Sequence, residues 1–280
     1  MSGSSLFLGL RRQTEADRDQ HAGIAAAVRT LLNGGLPALT AARAALQLEP
    51  IGDVMEQLEA SECYLLATSR AFDFSSGSPS SWVRYVGPEL ADPGWTQCWQ
   101  SPWLETDERP IILVAFSTTY QNHLPVLERI AAALAALPVR AVCTMGPGLA
   151  GLGFRTPPNV VVCESAPHEQ LMREARLVIT HGGHGTVVRA LVAGAPLLCM
   201  PLGRDQSDNT ARVTARNAGI GLSPTASVED IRSAVIELLE TAQYRIAARR
   251  LGAAVAADAA RSSAVDELEA LAHGIDIRRE

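Results

Sequence analysis

Residues 177–191 read Leu177-Val178-Ile179-Thr180-His181-Gly182-Gly183-His184-Gly185-Thr186-Val187-Val188-Arg189-Ala190-Leu191, and this stretch carries the strongest structural signal in the chain. Its order is that of a buried β-strand that passes through a glycine-rich turn into an α-helix. The glycines allow positive φ angles and a close approach of the backbone to a ligand. The first turn of a helix exposes N–H groups that have no intrahelical acceptor, and these groups favour a bound anion. The stretch therefore predicts an anion site at the turn.

His181 and Thr186 are the two side chains of this turn that we expect to take part in anion binding. His181, at the end of the strand, adds a hydrogen-bond donor whose charge can adjust to the anion. Thr186 stands in the first turn of the helix. The simpler alternative is an ordinary glycine turn with Thr186 as the helix N-cap. The turn by itself leaves both interpretations open.

Strand-like and helical segments alternate from Arg109 onwards. Continuous apolar runs are expected for parallel strands that are covered on both faces. Residues 111–116 are such a run, and residues 139–145, 160–163, 177–180 and 196–200 are further strand-like segments. Helical spacing is found in residues 124–137, 169–174, 187–192, 208–218 and 228–239 and in an Ala/Arg-rich tail, residues 244–272. Because the connections are short, this alternation predicts a doubly wound α/β domain with a parallel sheet.

The chain before Arg109 has a different pattern. Helical spacing is found in residues 22–32 and 36–48, and residues 63–68 are strand-like. Between Gly87 and Pro110 the chain is rich in proline and tryptophan and has almost no periodicity. We interpret this stretch as an irregular linker pinned by Trp95, Trp99 and Trp103. A sugar-stacking platform is the alternative use of these rings.

Composition and charge exclude several classes of protein. The chain has 280 residues, 47% of them hydrophobic, which is enough for a buried core. A net charge of −6 argues against a main function in nucleic-acid binding, and no apolar run is long enough to predict a membrane span. The five cysteines contain no C-x-x-C pair, and the first residues lack the order of a signal peptide. We therefore expect a cytoplasmic protein with free thiols.

A second polar turn, residues 201–209, leaves the strand that follows the glycine-rich helix. Asp205 and Gln206 present a carboxylate and an amide, which are suited to bind vicinal sugar hydroxyls. Asn209 lies three residues after Gln206, on the same face of a helix that begins there. Ligands bind outside the carboxyl ends of the strands in an open parallel sheet. A site formed with the glycine-rich turn is therefore predicted, although Asp205 or Ser207 as a mere N-cap is the alternative.

The segment Gly146-Pro147-Gly148-Leu149-Ala150-Gly151 has the G-x-G-x-x-G spacing of a dinucleotide-binding turn. Such a turn has to open a helix. Here Gly153-Phe154-Arg155-Thr156-Pro157-Pro158 follows instead, and Glu164 comes too early for the ribose-binding acidic residue. We therefore interpret the segment as an ordinary glycine loop.

Taken together, these motifs resemble the donor-binding signature of nucleotide-sugar glycosyltransferases with the GT-B fold. The similarity is specific over residues 181–209 and looser over the rest of residues 31–271. It is closest to the bacterial branch that glycosylates macrolides, aglycones, sterols and glycopeptides, which is related to the UDP-glucuronosyltransferases. The residues that carry it are His181-Gly182-Gly183-His184-Gly185-Thr186, Gly194-Ala195-Pro196, Pro201, Asp205-Gln206 and Asn209, together with Ala166-Pro167-His168-Glu169-Gln170-Leu171 and Ala115-Phe116-Ser117-Thr118-Thr119.

The resemblance implies an inverting, metal-independent transfer of a hexose from a UDP- or dTDP-sugar to a hydroxyl group of a small-molecule acceptor. It implies no cofactor besides this nucleotide-sugar substrate, and the tight turn is not expected to place His181 and His184 on one metal ion. The donor-binding residues that it implies are Ser117 (phosphate loop), Pro167 and His168 (nucleobase and ribose), His181, Gly183, Gly185 and Thr186 (diphosphate), Asp205 and Gln206 (sugar hydroxyls) and Asn209 (phosphate side).

The resemblance also implies a division of the chain. Its parts are a partial N-terminal acceptor domain (1–88), a Trp/Pro-rich linker (89–108), a donor-binding domain (109–243) and a C-terminal helical tail (244–280). In this family a histidine near the start of the N-terminal domain activates the acceptor, and we expect it in a part that precedes this chain. His21, in a polar stretch that is predicted to be helical, is not predicted to be that base. We therefore expect a truncated form without a catalytic residue, whose partner is the missing N-terminal half or a second copy.

Two other functions remain open at this point. One is a non-catalytic nucleotide-sugar-binding module that acts as an auxiliary partner. The other is a related GT-B enzyme such as a nucleotide-sugar epimerase, against which the pair Asp205 and Gln206 argues. Donor binding followed by an assay of sugar transfer distinguishes the transferase from the binding module.

Overall fold

The computed structural model describes residues 15–74, 83–92, 99–116, 123–146 and 156–275. The chain divides into two compact units, of which one comprises Met1–Gly87 with Ser262–Glu280 and the other Pro88–Arg261. The four-part division derived from the sequence stays a prediction.

The strands expected in the second half of the chain all form, and so do most of the expected helices. In chain order the elements are α1 (Glu15–Asn33), α2 (Leu36–Ala45), α3 (Val54–Glu59), β1 (Tyr64–Leu66), β2 (Val83–Tyr85), β3 (Ile111–Ala115), α4 (Leu124–Ala135), β4 (Arg140–Thr144), β5 (Val160–Cys163), α5 (His168–Glu174), β6 (Ala175–Thr180), α6 (His184–Val192), β7 (Leu197–Cys199), α7 (Gln206–Thr214), β8 (Gly219–Gly221), α8 (Val228–Glu240), α9 (Ala242–Ala259) and α10 (Ala264–Ala272).

The unit Pro88–Arg261 is built on a parallel sheet, in which the described strands have the order β5-β4-β3-β6-β7-β8. The chain enters this sheet in the middle, at β3, and adds β4 and β5 on one side. It then crosses over to β6, which pairs with the other edge of β3. This order confirms the predicted doubly wound α/β fold. The crevice at the point where the strand order reverses, outside the ends of β3 and β6, is the usual ligand site of such a sheet.

Burial on both faces explains why the strands are continuous apolar runs. The four residues Ile112–Ala115 of β3 are all buried. On one face of the sheet, Leu127 and Leu134 of α4 pack in the same buried cluster as Ile231 of α8. Each fully buried side chain of this kind contributes roughly 1.5–3 kcal/mol. The strand ends that form the crevice are therefore held by a well-packed core.

Hydrophobic spacing misses short elements and misplaces some ends. It does not predict α3 or β8, which are too short to show a period. Helix α7 ends at Thr214 rather than at the expected residue 218, because Asn217 has a positive φ angle of 53°. The Ala/Arg-rich tail is two helices and not one, since α9 ends at Ala259 and α10 begins at Ala264.

Helices α6 and α9 contact each other backbone to backbone at Gly252. A Cβ atom on Gly252 would collide with the carbonyl oxygen of Leu191 in α6. Ala248 and Val255, on the same side of α9, are buried as well. Only glycine permits this approach, and the helix that follows the glycine-rich turn is thereby held by the last helix of its unit.

The other unit contains the parallel pair β1 and β2 together with α1, α2, α3 and α10. Asp53 caps α3 and accepts hydrogen bonds from Arg29 Nε at 2.6 Å and Asn33 Nδ2 at 2.9 Å, both from α1. Large apolar side chains of this unit are exposed, among them Leu31 and Leu46 at 79% and 71%. No helix in the described parts of the chain has the length and apolar character needed to cross a membrane.

Candidate functional site

The turn after β6, which we call the glycine bend (residues 181–186), lies beside the crevice of the sheet. Gly182 has a φ angle of 88°, and a Cβ atom there would lie 2.9 Å from the carbonyl oxygen of Gln206. A Cβ atom on Gly183 would lie 2.6 Å from His181 Nε2. The imidazole therefore folds back over the bend. The positive φ angle and the backbone contact require glycine at position 182, whereas a side chain at position 183 would have to displace the imidazole.

Helix α6 begins within the glycine bend. Its N-cap is Gly183, which has no side chain to accept a hydrogen bond, and the Gly183 carbonyl accepts from Val187 N at 3.0 Å. N–H groups in the first turn of a helix, here those of Gly185 and Thr186, have no intrahelical acceptor, and the helix dipole adds positive potential. Thr186 lies inside the helix, so the alternative of a Thr-capped turn is wrong. The bend has the backbone geometry of an anion site.

His181 is 7% exposed, and its ring packs beside Phe116 with the ring centroids 5.7 Å apart. Burial lowers the pKa of His181 below its usual 6.5, whereas a hydrogen bond to the Ala115 carbonyl and the charge of Asp205 act in the opposite direction. The imidazole is therefore neutral near pH 7. An anion placed beside it would favour the protonated form.

A second imidazole, His123, belongs to the same group of rings and was not predicted from the sequence. It is the N-cap of α4, is fully buried and stacks on Phe116 with the ring centroids 6.2 Å apart. Burial lowers its pKa. A lone histidine before a helix gives no sequence signal for such a role. The predicted phosphate-loop residue Ser117 lies outside the described residues.

Asn209 links the second polar turn to the glycine bend. Its Nδ2 atom donates to the Gly182 carbonyl at 3.0 Å and to Asp205 Oδ2 at 2.8 Å. Asn209 is 4% exposed, whereas Asp205 is exposed. The buried amide therefore holds an accessible carboxylate next to the bend, and the predicted common site of the two turns stays a prediction.

Gln206 has a role that the sequence did not reveal. Its side chain is buried, and its Oε1 atom accepts hydrogen bonds from Leu202 N at 2.7 Å and Gly203 N at 3.1 Å. The next residue, Arg204, has a positive φ angle of 56°, so this loop is sharply turned. Gln206 therefore shapes the loop through its oxygen. Its predicted contact with sugar hydroxyls stays a prediction for the amide nitrogen.

The predicted nucleobase segment lies at the start of α5. Pro167 is the N-cap of this helix and offers no side-chain hydrogen bond, and His168 is the first helical residue. The Nε2 atom of His168 is 3.0 Å from Thr144 Oγ1 at the end of β4. Burial lowers the pKa of His168; the charge of Arg189 lowers it further and that of Asp92 raises it.

Asp92 is a second residue that sequence reasoning missed. Its Oδ2 atom accepts from Glu169 N of α5 at 2.8 Å, and its Oδ1 atom is 2.7 Å from Arg189 Nη1 of α6. Arg189 Nε in turn donates to the Gly185 carbonyl at 3.0 Å. Asp92 stands in the stretch interpreted as an irregular linker, which has no periodicity that could have pointed to these contacts.

The strand order defines a doubly wound α/β domain, in which Asn209 joins two polar turns at the ends of neighbouring strands. A family profile described as "Erythromycin biosynthesis protein CIII-like, C-terminal domain" matches residues 128–271, just over half of the chain. The chain belongs to this family. The resemblance inferred from the sequence is thereby confirmed.

Curated relatives and solved structures agree with this assignment. The 4'-demethylrebeccamycin synthase of Lentzea aerocolonigenes is 34% identical over 215 residues, which are 75% of this chain and 50% of that protein. The chain spans about half the length of the curated relatives it matches. Many of these relatives are named as glycosyltransferases.

Two solved structures show the same fold over most of the chain. The glycotransferase of kitacinnamycin superposes with a TM-score of 0.73 at 23% identity and covers 90% of this chain and 66% of its own. The spinosyn rhamnosyltransferase SpnG gives a TM-score of 0.58 at 26% identity, and the match covers 75% of this chain and 57% of the SpnG chain. A further structure of SpnG is complexed with thymidine diphosphate. It gives a TM-score of 0.59 at 24% identity, and the match covers 92% of this chain and 83% of the SpnG chain. These matches confirm the GT-B type of α/β fold.

Proposed function

We propose that this chain carries the donor site of a glycosyltransferase that transfers a hexose from a UDP- or dTDP-sugar to a hydroxyl group of a small-molecule acceptor. One observation carries the proposal: the buried Asn209 amide joins the glycine bend to the carboxylate of Asp205. An anion-binding surface and a hydroxyl-binding group therefore adjoin within one site, as a nucleoside diphosphate sugar requires.

The glycine bend is proposed to bind the diphosphate. The N–H groups at the start of α6 are donors for the charge that develops on the leaving nucleoside diphosphate. The neutral imidazole of His181 has one N–H, which the Ala115 carbonyl accepts, so His181 donates to the diphosphate once it is protonated. As the negative charge grows, protonation of His181 becomes more favourable. This gives electrostatic stabilisation of the leaving group without a metal ion, and direct displacement by the acceptor oxygen would invert the anomeric centre.

Asp205 is proposed to accept hydrogen bonds from two sugar hydroxyls. It is exposed, so a ligand can reach it, and the Asn209 amide fixes one of its oxygens at 2.8 Å. Hydrogen bonds to an ionised carboxylate are worth about 1.5–3 kcal/mol each. Asp205 therefore contributes to binding of the sugar and not of the nucleoside diphosphate.

The base of the donor is proposed to contact Pro167 and His168 at the start of α5. The thymidine diphosphate complex of SpnG supports a nucleoside diphosphate as the ligand class. Titration of the chain with thymidine diphosphate and uridine diphosphate decides which base it prefers.

We assign no acceptor-activating base within this chain. The family resemblance implies that this histidine belongs to the acceptor-binding part of the enzyme, and the chain spans about half the length of its relatives. The proposal therefore includes a partner that supplies the acceptor site. The thiols of Cys143, Cys163 and Cys199 form no disulfide among the described residues, which supports a reducing, cytoplasmic compartment.

Calorimetric titration tests the donor site directly. We expect the chain to bind thymidine or uridine diphosphate and the matching sugar donor. Asp205→Ala should leave nucleoside diphosphate binding nearly unchanged and weaken sugar-donor binding about tenfold or more. Ser207→Ala, an exposed residue of the same helix, is the matched control. Equal losses for both ligands would mean that Asp205 is only structural, and no binding by the unaltered chain would end the proposal.

A transfer assay then separates the enzyme from a binding module. The chain is incubated with the bound donor and a panel of hydroxylated aglycones, and glycoside formation and donor hydrolysis are followed. Product supports a complete transferase. Donor binding without product, which persists over the whole panel, supports a chain that needs a partner or acts as a nucleotide-sugar-binding module.

A further inference from the structure

We propose that Asp92 is a positioning residue of the donor site, which ties the start of α5 to α6 and so holds His168 in place for the base of the donor. This inference rests on the donor site proposed above. It assigns a role to a residue that lies before the sheet in sequence and outside every motif described so far.

The two oxygens of Asp92 make contact with two different helices. Oδ2 accepts from the backbone N–H of Glu169 at 2.8 Å, and Oδ1 forms an ion pair with Arg189 Nη1 at 2.7 Å. The side chains of Asp92 and Arg189 are only 16% and 21% exposed. An ion pair that is largely shielded from water constrains its partners more strongly than a surface pair, whose worth is close to zero.

Helix α5 depends on Asp92 for the hydrogen bonding of its start. Its own N-cap, Pro167, offers no side-chain acceptor. Asp92 supplies the missing acceptor from another part of the chain, at the residue directly after His168. A carboxylate at this place is also favoured by the helix dipole. Removal of Asp92 would therefore loosen the first turn of α5, where the predicted base contacts are.

Arg189 extends the same chain of contacts to the glycine bend. Its Nε atom donates to the Gly185 carbonyl at 3.0 Å. The order of contacts is thus Glu169, Asp92, Arg189 and Gly185, which runs from the base side of the site to its diphosphate side. Asp92 is the member that joins the two helices, because Glu169 lies on α5 and Arg189 on α6.

The expected effect of Asp92→Ala is selective for ligands that carry a base. Affinity for thymidine diphosphate should fall by roughly tenfold, the effect of one hydrogen bond to a charged group. Affinity for inorganic pyrophosphate, which lacks a base, should change by less than about threefold. Asp92→Asn keeps an oxygen for Glu169 N and should recover part of the loss. Glu89→Gln, on the same segment, is the matched control and should behave as the unaltered chain.

The double variant Asp92→Ala with Arg189→Ala tests whether the pair acts as a unit. If it does, the loss of thymidine diphosphate affinity in the double variant should be smaller than the sum of the losses in Asp92→Ala and Arg189→Ala, because Arg189→Ala also removes the contact with the Gly185 carbonyl. Losses that add fully would contradict the unit. The pKa of His168, followed by NMR, should fall in Asp92→Ala, because the charge of Asp92 raises it. A general loss of stability would not produce that shift.

The outcomes separate this inference from the function on which it rests. If the unaltered chain binds neither thymidine nor uridine diphosphate, the proposed function fails and the inference with it. If the unaltered chain binds thymidine diphosphate, and Asp92→Ala binds thymidine diphosphate and pyrophosphate with the same affinities as the unaltered chain, the proposed donor site is supported and the proposed role of Asp92 is wrong. Equal losses for thymidine diphosphate and pyrophosphate, in Asp92→Ala and Asp92→Asn alike, would also overturn it.

Discussion

The imidazole of His181 lies over Gly183, with its Nε2 atom 2.6 Å from the place that a Cβ atom on Gly183 would occupy. The positions of the two residues are therefore coupled, because the absence of a side chain on Gly183 leaves the space that the His181 ring occupies. The ring also packs beside Phe116, at a centroid distance of 5.7 Å.

Gly183→Ala should displace this imidazole. The added methyl group requires either the ring or the backbone to move, so the variant should lose nucleoside diphosphate affinity to a similar extent as His181→Ala, by roughly 1–3 kcal/mol. Calorimetry with thymidine diphosphate measures both variants. Unchanged affinity in Gly183→Ala would contradict the placement of the ring at the ligand.

Gly185→Ala is the comparison for that experiment. A Cβ atom there meets only Arg189 Nη2, at 3.8 Å, so the fold should accept it without loss of stability. If the diphosphate approaches the backbone of the bend as proposed, this variant should keep its melting temperature and still bind thymidine diphosphate more weakly. Undiminished binding would show that the ligand does not come close to Gly185.

Asn209→Ala should damage the site and the fold together. The substitution leaves the buried Gly182 carbonyl without this donor and releases the Asp205 carboxylate. Loss of a buried hydrogen-bond partner costs about 1–3 kcal/mol. Urea unfolding should show that decrease, and Ser207→Ala, exposed on the same helix, should show almost none. Equal stability of the two variants would mean that the Asn209 bridge has no energetic weight.

The stability of the unliganded chain should fall when the pH is lowered below 6.5. His123, His168 and His181 all have pKa values lowered by burial. The unfolded chain therefore binds more protons than the folded chain below 6.5, and stability rises with pH through that window and is complete above it. His181→Gln should reduce the slope of unfolding free energy against pH. An unaltered slope would contradict the neutral, buried state of His181.

Ligand binding should have the opposite pH dependence at His181. A diphosphate beside the ring raises the pKa of His181, so the ring takes up a proton when the ligand binds. The affinity for the nucleoside diphosphate should therefore increase as the pH falls from about 8 to about 6. The diphosphate itself titrates in this range, so the informative quantity is the affinity of the unaltered chain divided by that of His181→Gln. This ratio should increase toward lower pH. A constant ratio would place the anion away from the ring.

Gly252→Ala should destabilise the unit, although helix propensity alone predicts the reverse. Alanine is favoured over glycine inside a helix by about 0.8–1 kcal/mol. At Gly252, however, the added carbon would collide with the Leu191 carbonyl, and a backbone atom cannot move aside as a side chain can. Thermal unfolding should therefore show a lower melting temperature.

Gly23→Ala in α1 provides the matched control for that prediction. No described atom lies within 4 Å of a Cβ at this position. Here propensity should prevail, and the variant should be as stable as the unaltered chain or slightly more stable. A decrease in both variants would indicate that the backbone contact at Gly252 is not the cause.

Local pattern was sufficient for the parallel sheet and for the glycine bend. The apolar run of β3 and the run Leu177–Thr180 reflect burial on two faces, which every residue of the strand records. Among the glycines of the bend, Gly183 faces a residue only two positions away, His181. Features of this kind can be predicted from the sequence because they depend on residues that are close together in the chain.

The missed features depend on residues far apart in the chain. Asp92 contacts Glu169 and Arg189, which are 77 and 97 residues away in sequence. The role of Gln206 was missed for a different reason, because a buried amide that orders a loop and an exposed amide that binds sugar have the same sequence pattern. Only the coordinates distinguish the two environments.

The contact at Gly252 limits how far the chain can be shortened from its C-terminal side before α6 loses its packing partner. A protein shortened to end before this residue would keep every predicted donor-binding position, from Ser117 to Asn209, and would still lose the surface on which α6 rests. A fragment chosen only to contain the predicted donor-binding positions would therefore be too short. The unit Pro88–Arg261 keeps α9 together with α6, and we therefore expect it to be a better fragment for expression than one that ends before Gly252.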